Sequence, residues 1–303
     1  MTRKILPVTM LAVLAATLLA REAVRQDMER EQRETGLTLE TFERKIRSIN
    51  FGTRLPEQRE LNLKAGGYPQ QGSISRDGES IAFEISYAHP AHWALGVVHA
   101  DGSGWQEFPE IASPTSICWS NNKSMLAVNG GIRDSSDRKL VIVQLDSKGL
   151  EQISTESSVT SQCWSPDDQQ IVYAVGKRIR IYDLKEKRSK DLATGEAPAW
   201  SPDGNWIGFY REGAYYAIHP SGDGSKILFR RKGYSAGPWW SPDGSVLAYM
   251  CSSGKAGNWM GFESRQLRIH RLADSSDDWV LNEPDDVFSP EYEWVLPRKP
   301  SSH

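Results

Sequence analysis

Short apolar runs rich in aromatic and β-branched residues recur along most of this chain, and small polar turns break them at a steady interval. The clearest unit reads Ala197-Pro198-Ala199-Trp200, then a Ser201-Pro202-Asp203-Gly204 connection, then Trp206-Ile207-Gly208-Phe209-Tyr210. Two apolar segments around four turn residues predict a β-hairpin. Each turn residue has a physical role there. Proline presets φ, aspartate hydrogen-bonds the backbone just beyond it, and glycine takes the positive φ that a side chain resists.

The unit repeats. The best copies stand at Trp164-Ser165-Pro166-Asp167, Trp200-Ser201-Pro202-Asp203-Gly204 and Trp240-Ser241-Pro242-Asp243-Gly244, and degenerate ones at Ile74-Ser75-Arg76-Asp77-Gly78 and Trp119-Ser120-Asn121-Asn122. The serines are 45, 45, 36 and 40 residues apart, and a weaker echo, Phe288-Ser289-Pro290, follows 48 further on. Where glycine is missing, Asn122 and Asp168 are expected to take the left-handed conformation, which these side chains tolerate best. Downstream in each unit a third strand ends in a polar turn, as Leu140 to Leu145 runs into Asp146-Ser147-Lys148-Gly149, and a short fourth strand such as Leu150 to Ser154 follows. Four strands in a period of about 40 to 45 residues describe one blade of a β-propeller.

The expectation is an all-β, six-bladed β-propeller of four-stranded antiparallel blades. Residues 285 to 296 supply two strands of the sixth blade, at Val287-Phe288 and Trp294 to Leu296. The other two come from Ser48 to Arg54 as third strand and Arg59 to Leu63 as fourth, so strands from both termini close the last blade and leave no open edge. The propeller then spans 48–297, with a C-terminal tail at 298–303.

The Trp-Ser-Pro-Asp-Gly repeat, with a hydrophobic strand behind it and an aspartate-bearing turn ahead of the fourth strand, resembles the TolB-like propeller, a WD-like repeat built around Pro-Asp. The resemblance covers residues 59 to 296. It implies a scaffold that binds protein partners in the cell envelope. Proteins of that family carry a separate α/β domain before the propeller, and residues 21–47 are too short to be one.

The N-terminus adds a second reading. Thr2-Arg3-Lys4 precede an uncharged stretch from Ile5 to Ala20, after which charge resumes at Arg21. A basic start and an apolar segment short for a membrane span describe a signal peptide or an N-terminal membrane anchor over residues 1–20, and hence export, to the periplasm in a Gram-negative cell. Membrane contact is then confined to residues 5–20 where these are retained. Residues 21–47 are charged and carry Leu37, Leu39, Phe42 and Ile46 at helix-like spacing, so they are expected to form a short helical spacer ahead of the propeller.

Composition narrows the function classes. With 39 acidic against 36 basic residues the net charge is −3, which offers no basic surplus for nucleic acid. Several of the 11 tryptophans occupy the repeated position, so most of them are expected to pack between blades. Cys118 and Cys163 occupy the same place in consecutive repeats, on neighbouring inner strands rather than one hairpin, so these two and Cys251 are expected as buried free thiols. Gly233-Tyr234-Ser235-Ala236-Gly237 matches a nucleophile elbow, but it lies between strands, and the elbow needs a strand feeding a helix. His89, His92 and His99 cluster without an evident fourth ligand, so no metal, cofactor or catalytic residue is assigned.

A partner is expected at the connections between second and third strands. These are long at Ser86 to Trp93, Asn129 to Arg138 and Ser252 to Arg265, and minimal at Gly176-Lys177 and Arg211-Glu212-Gly213. Long insertions on one face of a repeat protein mark its binding side. Trp93, Arg133, Trp259, Met260, Phe262 and Arg265 are the candidate anchors, since aromatic and arginine side chains dominate interface energetics. Glu196, Asp285 and Asp286 precede inner strands and are expected at the rim of the central channel. The reading is a monomeric, exported, non-catalytic scaffold for envelope proteins. Two alternatives use the channel: a lyase or hydrolase on a sugar or small ester, and a sensor of a small ligand.

Overall fold

One turn, built five times, organises the molecule. In the copy at Ser201, the serine Oγ donates to Asp203 Oδ1 at 2.6 Å, the N–H of Asn205 donates to the same oxygen at 3.0 Å, and the N–H of Trp206 donates to Ser201 Oγ at 2.9 Å. The same three bonds recur at Ser75, Ser120, Ser165 and Ser241. All five serines are buried. Each turn thus satisfies its own backbone donors where no ladder reaches them.

The positive-φ position follows the repeat, with one correction. Gly78, Gly204, Gly244 and Asp168 take it as expected, but in the second copy Lys123 does so, with φ of 61°. Asn122 instead fills the aspartate's place and accepts the hydrogen bonds of Ser120 and Ser124. An amide oxygen serves that acceptor role as well as a carboxylate oxygen does.

The computed structural model describes residues 38–43, 45–50, 57–60, 67–88, 91–132, 135, 137–157, 159–231, 233–252, 265–282 and 293–295. The first three strands are β1 (Thr38–Glu43), β2 (Lys45–Asn50) and β3 (Glu57–Glu60). Five blades of four antiparallel strands follow. The first holds β4 (Tyr68–Ile74), β5 (Ser80–Ala88), β6 (Ala91–His99) and β7 (Gln106–Phe108), and its β4 also pairs with β1, Phe42 opposite Gly72, so that this blade and the N-terminal strands form one continuous sheet. The second holds β8 (Ile111–Trp119), β9 (Met125–Ile132), β10 (Lys139–Gln144) and β11 (Leu150–Gln152). The third holds β12 (Val159–Trp164), β13 (Gln170–Val175), β14 (Arg178–Asp183) and β15 (Arg188–Thr194). The fourth holds β16 (Glu196–Trp200), β17 (Ile207–Arg211), β18 (Ala214–Ile218) and β19 (Lys226–Arg230). The fifth holds β20 (Tyr234–Trp240), β21 (Val246–Ser252), β22 (Arg265–Arg271) and β23 (Asp277–Asn282). The last strand is β24 (Glu293–Val295).

The two ends of the chain meet. β24 pairs antiparallel with β1, Thr38 opposite Val295, and β1 pairs in turn with β2 and β2 with β3. Three N-terminal strands therefore join one described C-terminal strand, rather than two joining two. Residues 38–47, expected as helix, lie in β1 and β2 apart from residue 44. The spacing of Leu39, Phe42 and Ile46 suits a helix stripe, but the register pairs Phe42 with Ile46 across a tight hairpin instead. Residues 21–37, where the rest of that spacer was expected, lie outside the described residues, as does the strand expected at Val287-Phe288.

Successive first strands β4, β8, β12, β16 and β20 run side by side around a common axis. The core lies between blades. Ala82, Leu95 and Val97 of the first blade pack against Ile117, Trp119 and Leu126 of the second, and the later junctions are built alike. The tryptophans at the repeated position stitch these junctions. Trp119 Nε1 donates to the Ser73 carbonyl at 3.1 Å, Trp164 Nε1 to Cys118 at 3.2 Å, and Trp240 Nε1 to Ala199 at 3.2 Å. Beneath each indole lies a cross-strand pair of small residues, Ser73 with Ala82, Cys118 with Ala127, and Ala199 with Gly208. None of the three cysteines forms a disulfide; Cys251 is buried, whereas Cys118 and Cys163, whose place faces the next blade's indole, are half-buried.

Candidate interaction face

The disc has two unlike ends. At one, the five serine turns converge on the mouth of the axial channel, a cup of about 110 Å³ lined by residues of all five blades. The other end carries the connections between second and third strands.

On that second end the first blade stands out because its hairpin is long. The connection expected at Ser86 to Trp93 is mostly strand, since β5 runs to Ala88 and β6 begins at Ala91. Residues in register across three strands share one face of the sheet. Tyr68, Ser86 and Trp93 form such a row, Tyr68 opposite Ser86 and Ser86 opposite Trp93. Tyr68 is 67% exposed and Trp93 48% exposed, and strand spacing places their backbones about 10 Å apart over the small Ser86. Ser86 Oγ donates to the Tyr68 carbonyl at 3.3 Å and accepts from Gln70 Nε2 at 3.2 Å, which fixes the floor between the rings.

The next row along faces the other way and is tied down. Tyr87 stacks on His92 with centroids 4.4 Å apart and donates its hydroxyl to Glu107 at 2.8 Å. Burial, then that hydrogen bond and the charge of Glu107, push the tyrosine up to about 12. Glu84 is half-buried, and burial raises it against the opposing charge of Arg138.

The remaining expected residues scatter. Arg265 opens β22 opposite Ser252 and is half-exposed, and Glu196 opens β16 opposite Tyr210. Arg133, Trp259, Met260, Phe262, Asp285 and Asp286 lie outside the described residues. His92 and His99 sit near opposite ends of β6, roughly 23 Å apart along the strand, too far to share an ion, and His89 lies outside the described residues. Among the described residues no three His, Cys, Asp or Glu side chains gather as a metal site. Ser235 falls within the strand β20, and a further strand follows.

No family model and no curated protein matches this chain. Solved structures do. TolB from Acinetobacter baumannii superposes with a TM-score of 0.63 at 13% identity, over 86% of this chain and 66% of that one. A putative TolB from Agrobacterium tumefaciens gives 0.60 at 13% identity, over 86% and 98%. The fold is a TolB-like β-propeller. An oligogalacturonate lyase from Vibrio parahaemolyticus also superposes on this chain, with a TM-score of 0.54 at 14% identity over 78% and 71%.

In this TolB-like propeller the residue that sequence reasoning missed on the candidate face is Tyr68. It belongs to an inner strand, where a small inward residue is the rule, and only the register reveals that it shares a row with Trp93. The signal in the sequence is Gly66-Gly67-Tyr68-Pro69, an aromatic flanked by turn formers just ahead of the first repeat.

Proposed function

We propose that this chain is an exported, non-catalytic scaffold that binds a protein partner in the cell envelope, on a ring of six blades. The exposed Tyr68–Ser86–Trp93 row carries the reading. Two large aromatics held over a rigid small floor offer apolar area at low entropic cost, which is what a protein-binding hot spot requires. The basic Thr2-Arg3-Lys4 followed by the uncharged Ile5–Ala20 supports export. The TolB likeness supports an envelope setting. The inner-strand positions Ser73, Thr115, Ser161, Ala197 and Gly237 are small and uncharged, which favours a scaffold over an enzyme with converging acid–base groups.

Photo-crosslinking in cells tests it. Crosslinkers at positions 68 and 93 are expected to trap one envelope protein that a crosslinker at Ile227, beside the serine turns, does not. Trp93→Ala is expected to weaken that capture by about 30-fold with the unfolding midpoint unchanged. Undiminished capture by Trp93→Ala rules this face out.

The sixth blade in this proposal is the set β24, β1, β2 and β3, in which the pairing of Thr38 with Val295 clasps the ring. Truncation after Asn282 then removes the clasp, and the melting temperature is expected to fall by more than 10 °C in one cooperative step. An unchanged melting temperature sinks the closure.

A further inference from the structure

The cup at the mouth of the axial channel has walls of tryptophan and proline from successive turns. Among the described residues that line it, Arg76 is the one that carries a charge. Its place is the third of the repeated turn, where the other copies have Asn121, Pro166, Pro202, Pro242 and, in the sixth, Pro290. Every other copy is neutral at this place. Where a repeat breaks its own rule without a gain in packing, function is the usual reason.

The guanidinium is only lightly held. Arg76 Nη1 donates to Asn121 Oδ1 at 3.3 Å, a neutral acceptor, and among the described residues no carboxylate lines the cup.

We propose that this cup binds an apolar carboxylate, with its ring or branched chain against the indoles and its carboxylate at Arg76. The size agrees. An enclosed apolar cavity of about 150 Å³ admits benzene, and this one, at about 110 Å³ and open on one side, receives one such group with the remainder outside. Charge complementarity selects the acid over its neutral analogues, because a guanidinium pairs two N–H donors with a carboxylate. The carboxylate belongs either to the C-terminal residue of a partner or to a free organic acid; both present the same chemistry.

Cys118 and Cys163 are half-buried in the wall of the same cup and report occupancy. The full-length protein is alkylated with N-ethylmaleimide in the presence of phenylacetate or of neutral phenylacetamide, and labelling at each thiol is followed by mass spectrometry. Phenylacetate is expected to slow labelling of both, and phenylacetamide to need at least tenfold higher concentration. Arg76→Gln is expected to erase that preference, and Arg76→Lys, which loses the forked contact, to reduce it severalfold. Labelling of buried Cys251 reports loss of structure, in which case the lysine variant decides. Equal protection by acid and amide, protection by neither, or a full preference for the acid in both variants overturns the proposal. A peptide ending in a free phenylalanine carboxylate separates the sources. Protection at lower concentration than phenylacetate assigns a partner's C-terminus, and at higher concentration a free acid.

Discussion

Two junctions of this propeller carry the same tryptophan and treat it differently. Between the second and third blades, Trp164 lies over Cys118 and Ala127 and its N–H reaches the Cys118 carbonyl. Between the third and fourth, Trp200 lies over Cys163 and Val172, and its N–H finds no partner among the described residues. The pairs beneath the indoles differ by two methyl groups, alanine in one and valine in the other. That is enough to hold an indole off a carbonyl, since a close-packed interior passes a small change in volume directly to its neighbour. Ser73 with Ala82 and Ala199 with Gly208 fall on the bonded side of this divide. What the repeat conserves is therefore a compartment, of which the Trp-Ser-Pro-Asp string is one wall and a small residue on the second strand is the other.

The comparison breaks most forcefully at Gly208. A Cβ there would stand 2.9 Å from Trp240 Nε1 and 3.2 Å from its Cζ2, closer than packing allows. Gly208→Val should convert the last bonded junction into one worse than that of Trp200, because it both crowds the ring and strips the N–H from the Ala199 carbonyl. Overpacking costs about 1–3 kcal/mol and an orphaned buried donor about 1–3 more. A loss of about 2–6 kcal/mol in urea-induced unfolding is expected. A loss below 1 kcal/mol would mean that the indole has room to move and that the compartment is not the unit of packing.

The ring junctions at the turn face vary in the same manner. The third residue of one turn meets the fifth of the next as Pro166 with Gly204 and as Pro202 with Gly244. At the earlier junction the meeting is polar. Asn121 donates from its backbone at 2.7 Å and from its amide at 2.9 Å to the buried carboxylate of Asp168, and the N–H of Asn122 adds a third donor at 2.9 Å. Apolar contact and a saturated carboxylate are interchangeable here because each leaves no buried group unpaired.

These contrasts mark the border of what could be read from residues alone. Strand, turn and period were legible because Ser-Pro-Asp-Gly acts locally, through hydrogen bonds that reach no further than five positions. The helix expected over 38–47 was misread because Leu39, Phe42 and Ile46 satisfy a helical stripe and a hairpin equally well, and the choice between them depends on a partner strand from the opposite terminus. Trp93 was selected correctly as an exposed aromatic but placed in a loop, since nothing in Ser86 to Trp93 announces that both strands continue. Tyr68 and Arg76 escaped attention for a shared reason. Each departs from the pattern at a position whose neighbours come from other strands or other blades.

The smaller test isolates the N–H itself. Trp164 and Trp200 are both nearly buried, and replacing either by phenylalanine removes the same part of the ring and leaves the same kind of void. The transfer and cavity costs should therefore nearly cancel when the two variants are compared. What remains is the hydrogen bond, made at 164 and absent at 200. Trp164→Phe also leaves the Cys118 carbonyl without the indole donor, whereas Trp200→Phe orphans nothing and relieves a donor that already lacks an acceptor. Trp164→Phe is expected to cost about 1 kcal/mol more than Trp200→Phe, measured as a difference in urea midpoint at equal slope. Equal costs would show that the Trp200 N–H is satisfied in solution, and Val172 would then lose its role in setting the junction apart.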